Sequence, residues 1–487
     1  MDKPADVFDR DEEWEELVRY VAAPTKAATL GVVSGRRRQG KTYLLDALTR
    51  AAGGFMFTAT ESSESDALRQ YSDAIGRHQN LPTSPRFDNW DEAITWTMSL
   101  AATGPVPVVI DEFPFLARSS PQLPSIIQRA LDPAAQRQNT PVRLLLCGSA
   151  LSFMGGLLSG TAPLRGRAGL ELVVPTLDYR QAARFWQIDD PQTALRVNAI
   201  VGGTPAYRHE FVQEDTPGSP DDFDSWVIRA VLNPARPLFR EARYILAEEP
   251  DLRDPALYHS VLAAIAEGHT QRGAIAGYLG RQASDLGHAL RVLEDVGMVA
   301  REEDAFRSNR SAYRVAEPLV TFYHAVMRPV WGDLERPGRA RRVWPRIQQS
   351  FTSKVMGPHF ESVCRSWTRW EASPDVLGGV PNRVAAGTVA DPARRSSREV
   401  DVAAFGRDGD GREVLLAIGE AKWGDIVGLG HLQRLSETRD LIRARGAIQA
   451  DQCRLILFSG SGFTDDLRRQ AQSDPQIYLV DAADLYR

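Results

Sequence analysis

Lysine, cysteine and long apolar runs are all scarce in this sequence. Only five of its 58 basic residues are lysines, at positions 3, 26, 41, 354 and 422, so arginine carries positive charge almost everywhere. Arginine presents a broad planar fork, whereas lysine offers a slender stem and a compact ammonium, so the positions that keep lysine merit inspection. Three widely spaced cysteines, Cys147, Cys364 and Cys453, fit neither a disulfide framework nor a zinc site. The eight histidines show no ligand-like pairing. No stretch approaches the roughly 18 uninterrupted apolar residues of a membrane span. The acidic start Met1-Asp2-Lys3-Pro4 also lacks the apolar core of a signal peptide. A cytoplasmic location in a reducing milieu is expected, with no membrane partner. A net charge of −5 excludes the chain as a whole from electrostatic binding of nucleic acid.

At 487 residues the chain exceeds one hydrophobic core and implies about three domains. Its 43% hydrophobic and 25% charged content is that of a globular protein. Residues 1–180 alternate short apolar runs with helical patterns, the signature of a mainly parallel α/β sheet. Strands are predicted at Thr29–Ser34, Phe55–Thr58, Val106–Ile110 and Arg143–Cys147. Residues 181–235 read as helical around Gly202-Gly203-Thr204-Pro205. Residues 236–320 hold three helices and a hairpin, the pattern running from Asp254 to Val315. A connector follows over 321–350, basic through Arg336, Arg339, Arg341, Arg342 and Arg346. A second α/β unit fills 351–487, with strands near 399–405, 413–420, 454–458 and 477–480.

The first chemical motif is Gly35-Arg36-Arg37-Arg38-Gln39-Gly40-Lys41-Thr42, which matches G-x-x-x-x-G-K-[ST] between a predicted strand and a helix from Tyr43 to Arg50. Glycines let backbone N–H groups curl around phosphate oxygens, and the helix N-terminus adds partial positive charge. Lys41 is expected to reach the β- and γ-phosphates of ATP and the Thr42 hydroxyl to ligate Mg²⁺. The run Val106 to Ile110 delivers Asp111 and Glu112 at a strand tip, the edge where open α/β sheets bind ligands. Asp111 is expected to hold magnesium through water and Glu112 to orient the attacking water.

The sequence here resembles the archaeal-type ATPases of the AAA+ class. The likeness begins at Phe8-Asp9-Arg10-Asp11-Glu12-Glu13 with Leu17, similar to the family's segment beside the adenine, which implies nucleotide contacts from Phe8, Arg10 and Tyr43. It continues through the loop, including Arg38 and Gln39, and through Asp111-Glu112 to Cys147-Gly148-Ser149, where Ser149 fits the family's polar sensor. Pro163-Leu164-Arg165-Gly166-Arg167 resembles a segment whose arginine reaches a γ-phosphate across a subunit boundary, a role that falls on Arg167 and implies a homo-oligomer. Gly202 to Tyr207 matches the lid signature.

Tyr258, Val261, Leu262, Ile265 and Ala266 share one helical face, a second helix spans Arg272–Leu279, and a third turns Leu286, Ala289, Leu290, Leu293 and Val296 inward. With Val299–Arg301 and Tyr313–Val315 as a wing, the segment reads as a winged helix-turn-helix. Its third helix shows His288 and Arg291 but also Asp285 and Glu294, less basic than a DNA-reading helix. Arg301, Arg307 and Arg310 on the wing are candidates for phosphate contact.

Near the C-terminus, Glu399 to Ala403 and Leu416 to Lys422 flank Asp408-Gly409 and Asp410-Gly411, a strong hairpin signal. A turn at either Asp-Gly pair leaves Asp401, Glu420 and Lys422 on one face, because side chains alternate with period two. Two carboxylates and an ammonium suit phosphodiester cleavage: Asp401 and Glu420, with the Ala421 carbonyl, would bind Mg²⁺, and Lys422 would position the water or offset developing charge. The unit resembles the PD-(D/E)xK nuclease fold, with Glu420-Ala421-Lys422 as E-x-K and no proline before Asp401. That likeness implies a further acid from Glu361 on the preceding helix and a lesser candidate in Gln433.

The expected fold is therefore α/β: a P-loop AAA+ domain with a helical lid, a winged helix-turn-helix and a C-terminal restriction-endonuclease-like α/β domain. The expected function is ATP binding and hydrolysis coupled to the winged helix and the nuclease-like domain, with DNA as partner. The alternatives are a signalling switch whose C-terminal domain binds a protein partner and cuts nothing, and a regulator that uses the winged helix alone.

Overall fold

Buried strands lined by helices on both faces need continuous apolar runs, and three strands of the first half have them. The computed structural model describes residues 1–101, 104–132, 140–247, 255–392, 394–446 and 448–487. It divides into two units, Met1–Thr176 and Leu177–Arg487.

The first unit holds β1 (Thr29–Ser34), β2 (Phe55–Thr58), β3 (Val106–Asp111), β4 (Val142–Gly148) and β5 (Ala168–Val173). All pair in parallel in the order β2-β3-β4-β1-β5. Alternate residues feed two apolar layers: Val32, Val108, Ile110 and Leu144 pack with Tyr71 and Trp90. Val33, Val109 and Leu145 pack on the other face with Trp14, Leu17 and Leu45. The parallel α/β expectation holds, with one strand more than the sequence suggested. β5 is an edge strand in which inward and outward positions alternate, and its Gly169 and Glu171 break the apolar run that marks the other strands. Arg143 is fully buried on β4, and its guanidinium donates to the carbonyls of Ala23, Thr25 and Ala27 at 2.6, 2.8 and 3.0 Å. Those three carbonyls line the loop into β1, so the arginine ties that loop down through backbone acceptors.

In the second unit the helices Tyr179–Trp186 and Pro191–Val201 precede the Gly202-Gly203 break. The break has a steric cause. A Cβ on Gly203 would stand 1.8 Å from the Leu177 carbonyl oxygen, while the Leu177 N–H donates to the Gly203 carbonyl at 3.0 Å. Gly203→Ala is therefore expected to destabilise the protein by about 1–3 kcal/mol through forced backbone displacement. Chemical denaturation measures this, and an unchanged midpoint would remove the steric account.

Helices Pro255–Ala266, Arg272–Tyr278 and Leu286–Asp295 follow, then an antiparallel hairpin of β6 (Val299–Asp304) and β7 (Arg307–Val315). Asp254, the expected start of this pattern, lies outside the described residues. The stretch 321–350, expected as a connector, is helical and packed. Helix Ala340–Ser350 buries Ala340, Val343, Trp344 and Ile347, and the Trp344 and Phe322 rings both lie against Phe351. Its arginines lie outside: Arg339, Arg341, Arg342 and Arg346 are exposed, so the basic composition marks one helix face.

Helix Gly357–Trp370 then leads into β8 (Arg383–Asp391), β9 (Ser396–Arg407), β10 (Glu413–Lys422), β11 (Arg454–Ser459) and β12 (Ile477–Asp481), ordered β12-β11-β10-β9-β8. β8, β9 and β10 run antiparallel, and β10, β11 and β12 parallel. β8 is an edge strand of small and polar residues that the sequence did not reveal. Cys147, Cys364 and Cys453 are buried and in no disulfide. Among the described residues no helix is long and apolar enough to cross a membrane.

Candidate functional site

At the C-terminal edge of the first sheet, β1 runs into the loop 35–40 and the helix Lys41–Ala52, which begins two residues earlier than expected. Gly35 has φ +150°, and a Cβ there would meet the Val174 carbonyl at 2.5 Å, so the loop's first position admits no side chain. Gly40 and Arg38 are left-handed, at φ +85° and +70°. The Lys41 ammonium is buried and donates to the carbonyls of Gly35 at 2.7 Å and Arg36 at 2.8 Å. Burial pulls its pKa down, while Cys147, Glu112 and Asp111 act in the opposite sense.

β3 brings the acids to the same edge. Asp111 is buried; its Oδ2 accepts the Thr42 hydroxyl at 2.7 Å and its Oδ1 accepts the Glu112 N–H at 3.0 Å. Thr42 and Asp111 thus offer a hydroxyl and a carboxylate side by side, an oxygen pair that fits magnesium. Glu112 is left-handed at φ +51°, a conformation uncommon outside glycine, and it turns the carboxylate off the strand axis. Ser149, just past β4, donates to both Glu112 oxygens at 3.3 and 3.4 Å. Burial and then Asp111 raise the Glu112 pKa, against the pull of Lys41 and Arg37. Arg10 is left-handed and buried; its guanidinium donates to the Pro175 carbonyl at 2.7 Å and to the Gln39 carbonyl at 3.4 Å, which fixes the opening segment to the loop. Tyr43 is exposed and donates to Asp6 at 2.6 Å, and Phe8 is exposed as well.

Arg167 stands apart from this group. It immediately precedes β5, and Leu30 near the start of β1 pairs with Ala168, so Arg167 lies at the N-terminal edge of a parallel sheet whose loop is at the other. Six strand residues span about 20 Å. An arginine there does not reach a phosphate in its own loop.

The second cluster lies in the Leu177–Arg487 unit. Across the β9–β10 hairpin Gly419 pairs with Val402, which sets Glu420 opposite Asp401 after a bulge between Leu415 and Ala417. The register predicted for a turn at Asp410-Gly411 is therefore present at this end. Asp401 Oδ2 accepts the Ala421 N–H at 2.9 Å and stands 3.7 Å from Lys422 Nζ, which is 3.0 Å from Glu420 Oε1. Burial lowers the Lys422 pKa, but Asp401 and Glu420 outweigh it and the net direction is up. Glu361, on helix Gly357–Trp370, joins them: burial and then the Asp401 charge push its pKa up to about 7. Burial likewise raises Asp401, against Lys422. Three carboxylates are the right donors for a hard cation. Their present spacing is drawn around the ammonium, and among the described residues no group of three His, Cys, Asp or Glu is spaced to hold a metal ion. Gln433 is occupied elsewhere, donating to Glu437 at 3.3 Å.

Arg365 was not anticipated. It donates to the Asp401 carbonyl at 3.1 Å and lies 3.5 Å from Glu302 of the hairpin. It is four residues from Glu361, so the helical spacing carried the signal. On the hairpin itself Arg301 donates to Ser311 at 3.2 Å. Asp285, His288 and Arg291 are exposed on helix Leu286–Asp295 and its start, and Glu294 is half-buried.

A buried acid with a raised pKa has a measurable consequence. Glu361 stays protonated in the fold to about pH 7 but ionises near 4.5 when unfolded. Folding therefore takes up a proton between those values, and the stability contribution falls as pH rises through them. In chelator-containing buffer, Glu361→Gln is expected to stabilise the protein by about 1–3 kcal/mol at pH 8 and to change little at pH 5. Denaturant titrations at both values check this, and equal effects would refute the burial account.

No protein-family model matches the chain. Over 309 residues it is 24% identical to an uncharacterized protein of Methanocaldococcus jannaschii, covering 62% of this chain and 65%, just under two thirds, of that relative. Among solved structures, a Walker-type ATPase of Pyrococcus abyssi matches 66% of this chain and 97% of its own, with TM-score 0.52 and 20% identity. The ORC2 protein of Aeropyrum pernix, solved with ADPNP and ADP, matches 71% of this chain and 96% of its own at 13% identity and TM-score 0.40. Over about two thirds of its length the chain has the fold of a Walker-type, P-loop ATPase.

Proposed function

We propose that this chain is an AAA+ ATPase that binds and hydrolyses ATP and couples nucleotide state to a winged helix and a nuclease-like domain acting on DNA. The observation that carries the reading is the convergence of Lys41, Thr42, Asp111, Glu112 and Ser149 at one sheet edge. Lys41 exchanges two loop carbonyls for phosphate oxygens, a better partner for an ammonium. Magnesium held by Thr42 and Asp111 supplies charge that offsets the triphosphate. Glu112, with its raised proton affinity, orients the water and takes its proton, and Ser149 steadies the carboxylate. Arg167, at the far sheet edge, serves the site of a neighbouring copy, so turnover depends on a homo-oligomer. Three buried, unpaired thiols are in keeping with the cytoplasm.

Glu112→Gln is the test of the hydrolytic role. It is expected to bind ATP within a few-fold of the parent while steady-state turnover falls about a hundredfold. Undiminished turnover would falsify the assignment.

For the second unit, the support is the pairing of Asp401 and Glu420 across β9 and β10 with Lys422 beside both. Asp401, Glu420 and Glu361 are the acids that would hold magnesium there, and only with the Lys422 ammonium drawn back from between them, since as they stand they are not spaced for a metal ion. A different reading, a signalling switch whose C-terminal domain binds a protein partner and cuts nothing, is favoured by the ammonium lodged against the acids. Metal-dependent nicking of plasmid DNA by the full chain separates the two.

A further inference from the structure

The chain that leaves the edge of the phosphate loop is anchored before it enters the second unit. The Val174 N–H donates to the Ser34 carbonyl at 2.8 Å. The Arg10 guanidinium, which reaches the loop at the Gln39 carbonyl, also donates to the Pro175 carbonyl at 2.7 Å. Two residues later the Leu177 N–H donates at 3.0 Å to the Gly203 carbonyl, just past helix Pro191–Val201. The short stretch from Val174 to Leu177 thus joins the loop to the end of that helix.

The other end of the same helix reaches the strand tip that carries Lys422. Gln192 Nε2 donates to the Gly460 carbonyl at 2.8 Å, and the Gly460 N–H donates to the Lys422 carbonyl at 2.9 Å. A Cβ on Gly460 would stand 2.4 Å from the Trp423 ring, so glycine lets the indole close on this loop. Trp423 meets Phe360 at 5.4 Å, next to Glu361 in sequence, and its carbonyl accepts the Ser461 hydroxyl at 2.8 Å. The preceding helix, Tyr179–Trp186, is tied to the C-terminal segment as well. The Tyr179 hydroxyl and the Arg180 guanidinium donate to the Leu485 carbonyl at 2.7 and 2.8 Å, and Arg180 pairs with Glu371 at 2.7 Å. Those ties end on residues outside the carboxylate–lysine cluster, whereas Gln192 ends on the backbone beside it.

We propose that Gln192 is a positioning residue through which nucleotide occupancy of the phosphate loop sets the place of Lys422. The proposal rests on the ATPase reading of the first unit and holds whether the cluster cuts DNA or binds a partner. A contiguous chain of hydrogen bonds between a helix and a strand tip is a physical means of coupling. A second link meets the same sheet elsewhere. At the β6–β7 turn the Ala305 N–H donates to the Ala386 carbonyl of β8 at 2.8 Å, and Phe306 meets the Phe405 ring edge-on at 6.0 Å. That docked hairpin ends on β8, separated from β10 by β9, and leaves the strand of Lys422 untouched.

Hydrogen exchange read by mass spectrometry on the full chain, with and without a non-hydrolysable ATP analogue and magnesium, tests the route. In the parent, segments 35–45, 419–426 and 458–463 are expected to change exchange rate about fivefold or more on binding. In Gln192→Ala the change at 35–45 persists, and those at 419–426 and 458–463 vanish. Gln192 is exposed, so its truncation leaves the fold intact. Gln192→Arg, which keeps an N–H donor, is expected to restore the response. Phe306→Ala, which loosens the hairpin tip, is expected to leave all three responses in place. The inference is overturned by a parent that responds at 35–45 but at neither distant segment, by full responses in Gln192→Ala, or by their loss in Phe306→Ala. A parent silent at 35–45 refutes the ATPase reading, and the route with it.

Discussion

Lys41→Ala is expected to lower ATP turnover about a thousandfold or more and to abolish nucleotide-dependent protection against heat. The ammonium is buried within the loop and held by two carbonyls, so it is pre-positioned and partly stripped of water before a phosphate arrives. Preorganised charge of this kind is worth several kcal/mol at a transferring phosphoryl group. Melting without nucleotide should stay within a few degrees of the parent, because the variant loses two hydrogen bonds and a desolvated charge together. Lys41→Arg is the sharper companion. In a chain that uses arginine nearly everywhere, a planar fork in a slot 2.7 Å from one carbonyl and 2.8 Å from another is too broad, and it should fail as completely as alanine. Radiolabelled ATP hydrolysis and melting with and without ATP and magnesium decide the matter. Retained turnover in either variant would remove the foundation of the ATPase reading.

The second large effect is at Lys422. Under the nuclease-like reading, Lys422→Ala is expected to reduce metal-dependent DNA nicking about a thousandfold while ATP turnover is unchanged. The ammonium lies 3.0 Å from Glu420 and 3.7 Å from Asp401, and its removal leaves those two acids without the cation between them. Nicking by the parent that survives in the variant would locate the activity elsewhere. A parent that nicks nothing with any divalent ion would favour the partner-binding switch, and Lys422 would then be a salt-bridge residue whose loss changes stability alone.

What the sequence disclosed follows from how local each signal is. The loop 35–42 declares itself because glycine spacing, the lysine and the hydroxyl are contiguous and bracketed by a buried strand and a helix. Asp401, Glu420 and Lys422 were legible as a set because side chains alternate along each strand, but next to the turn Glu413 pairs with Arg407, one residue out of the expected register, and the bulge near Leu415 is what brings Glu420 opposite Asp401. β5 and β8 were illegible for one reason: edge strands need only one covered side, so Gly169, Glu171 and the small residues of β8 carry no apolar run. The packed helix Ala340–Ser350 was obscured by its arginines, although Ala340, Val343, Trp344 and Ile347 repeat at helical spacing. Arg365 and the docked hairpin depend on contacts between segments 60 or more residues apart, as with Arg365 and Glu302, which no local pattern encodes. The apolar pair Ala305-Phe306 at a hairpin tip, where polar residues are usual, was the one available hint.

The burial of all three cysteines has a practical corollary. Burial raises each thiol, Cys453 to about 12, so none is a ready nucleophile at neutral pH. A single cysteine introduced at exposed Trp370 or Arg291 would take a maleimide dye alone, with no need to strip the native ones. Spectroscopic rulers can thus be mounted on the wild-type background and read while nucleotide is added and withdrawn.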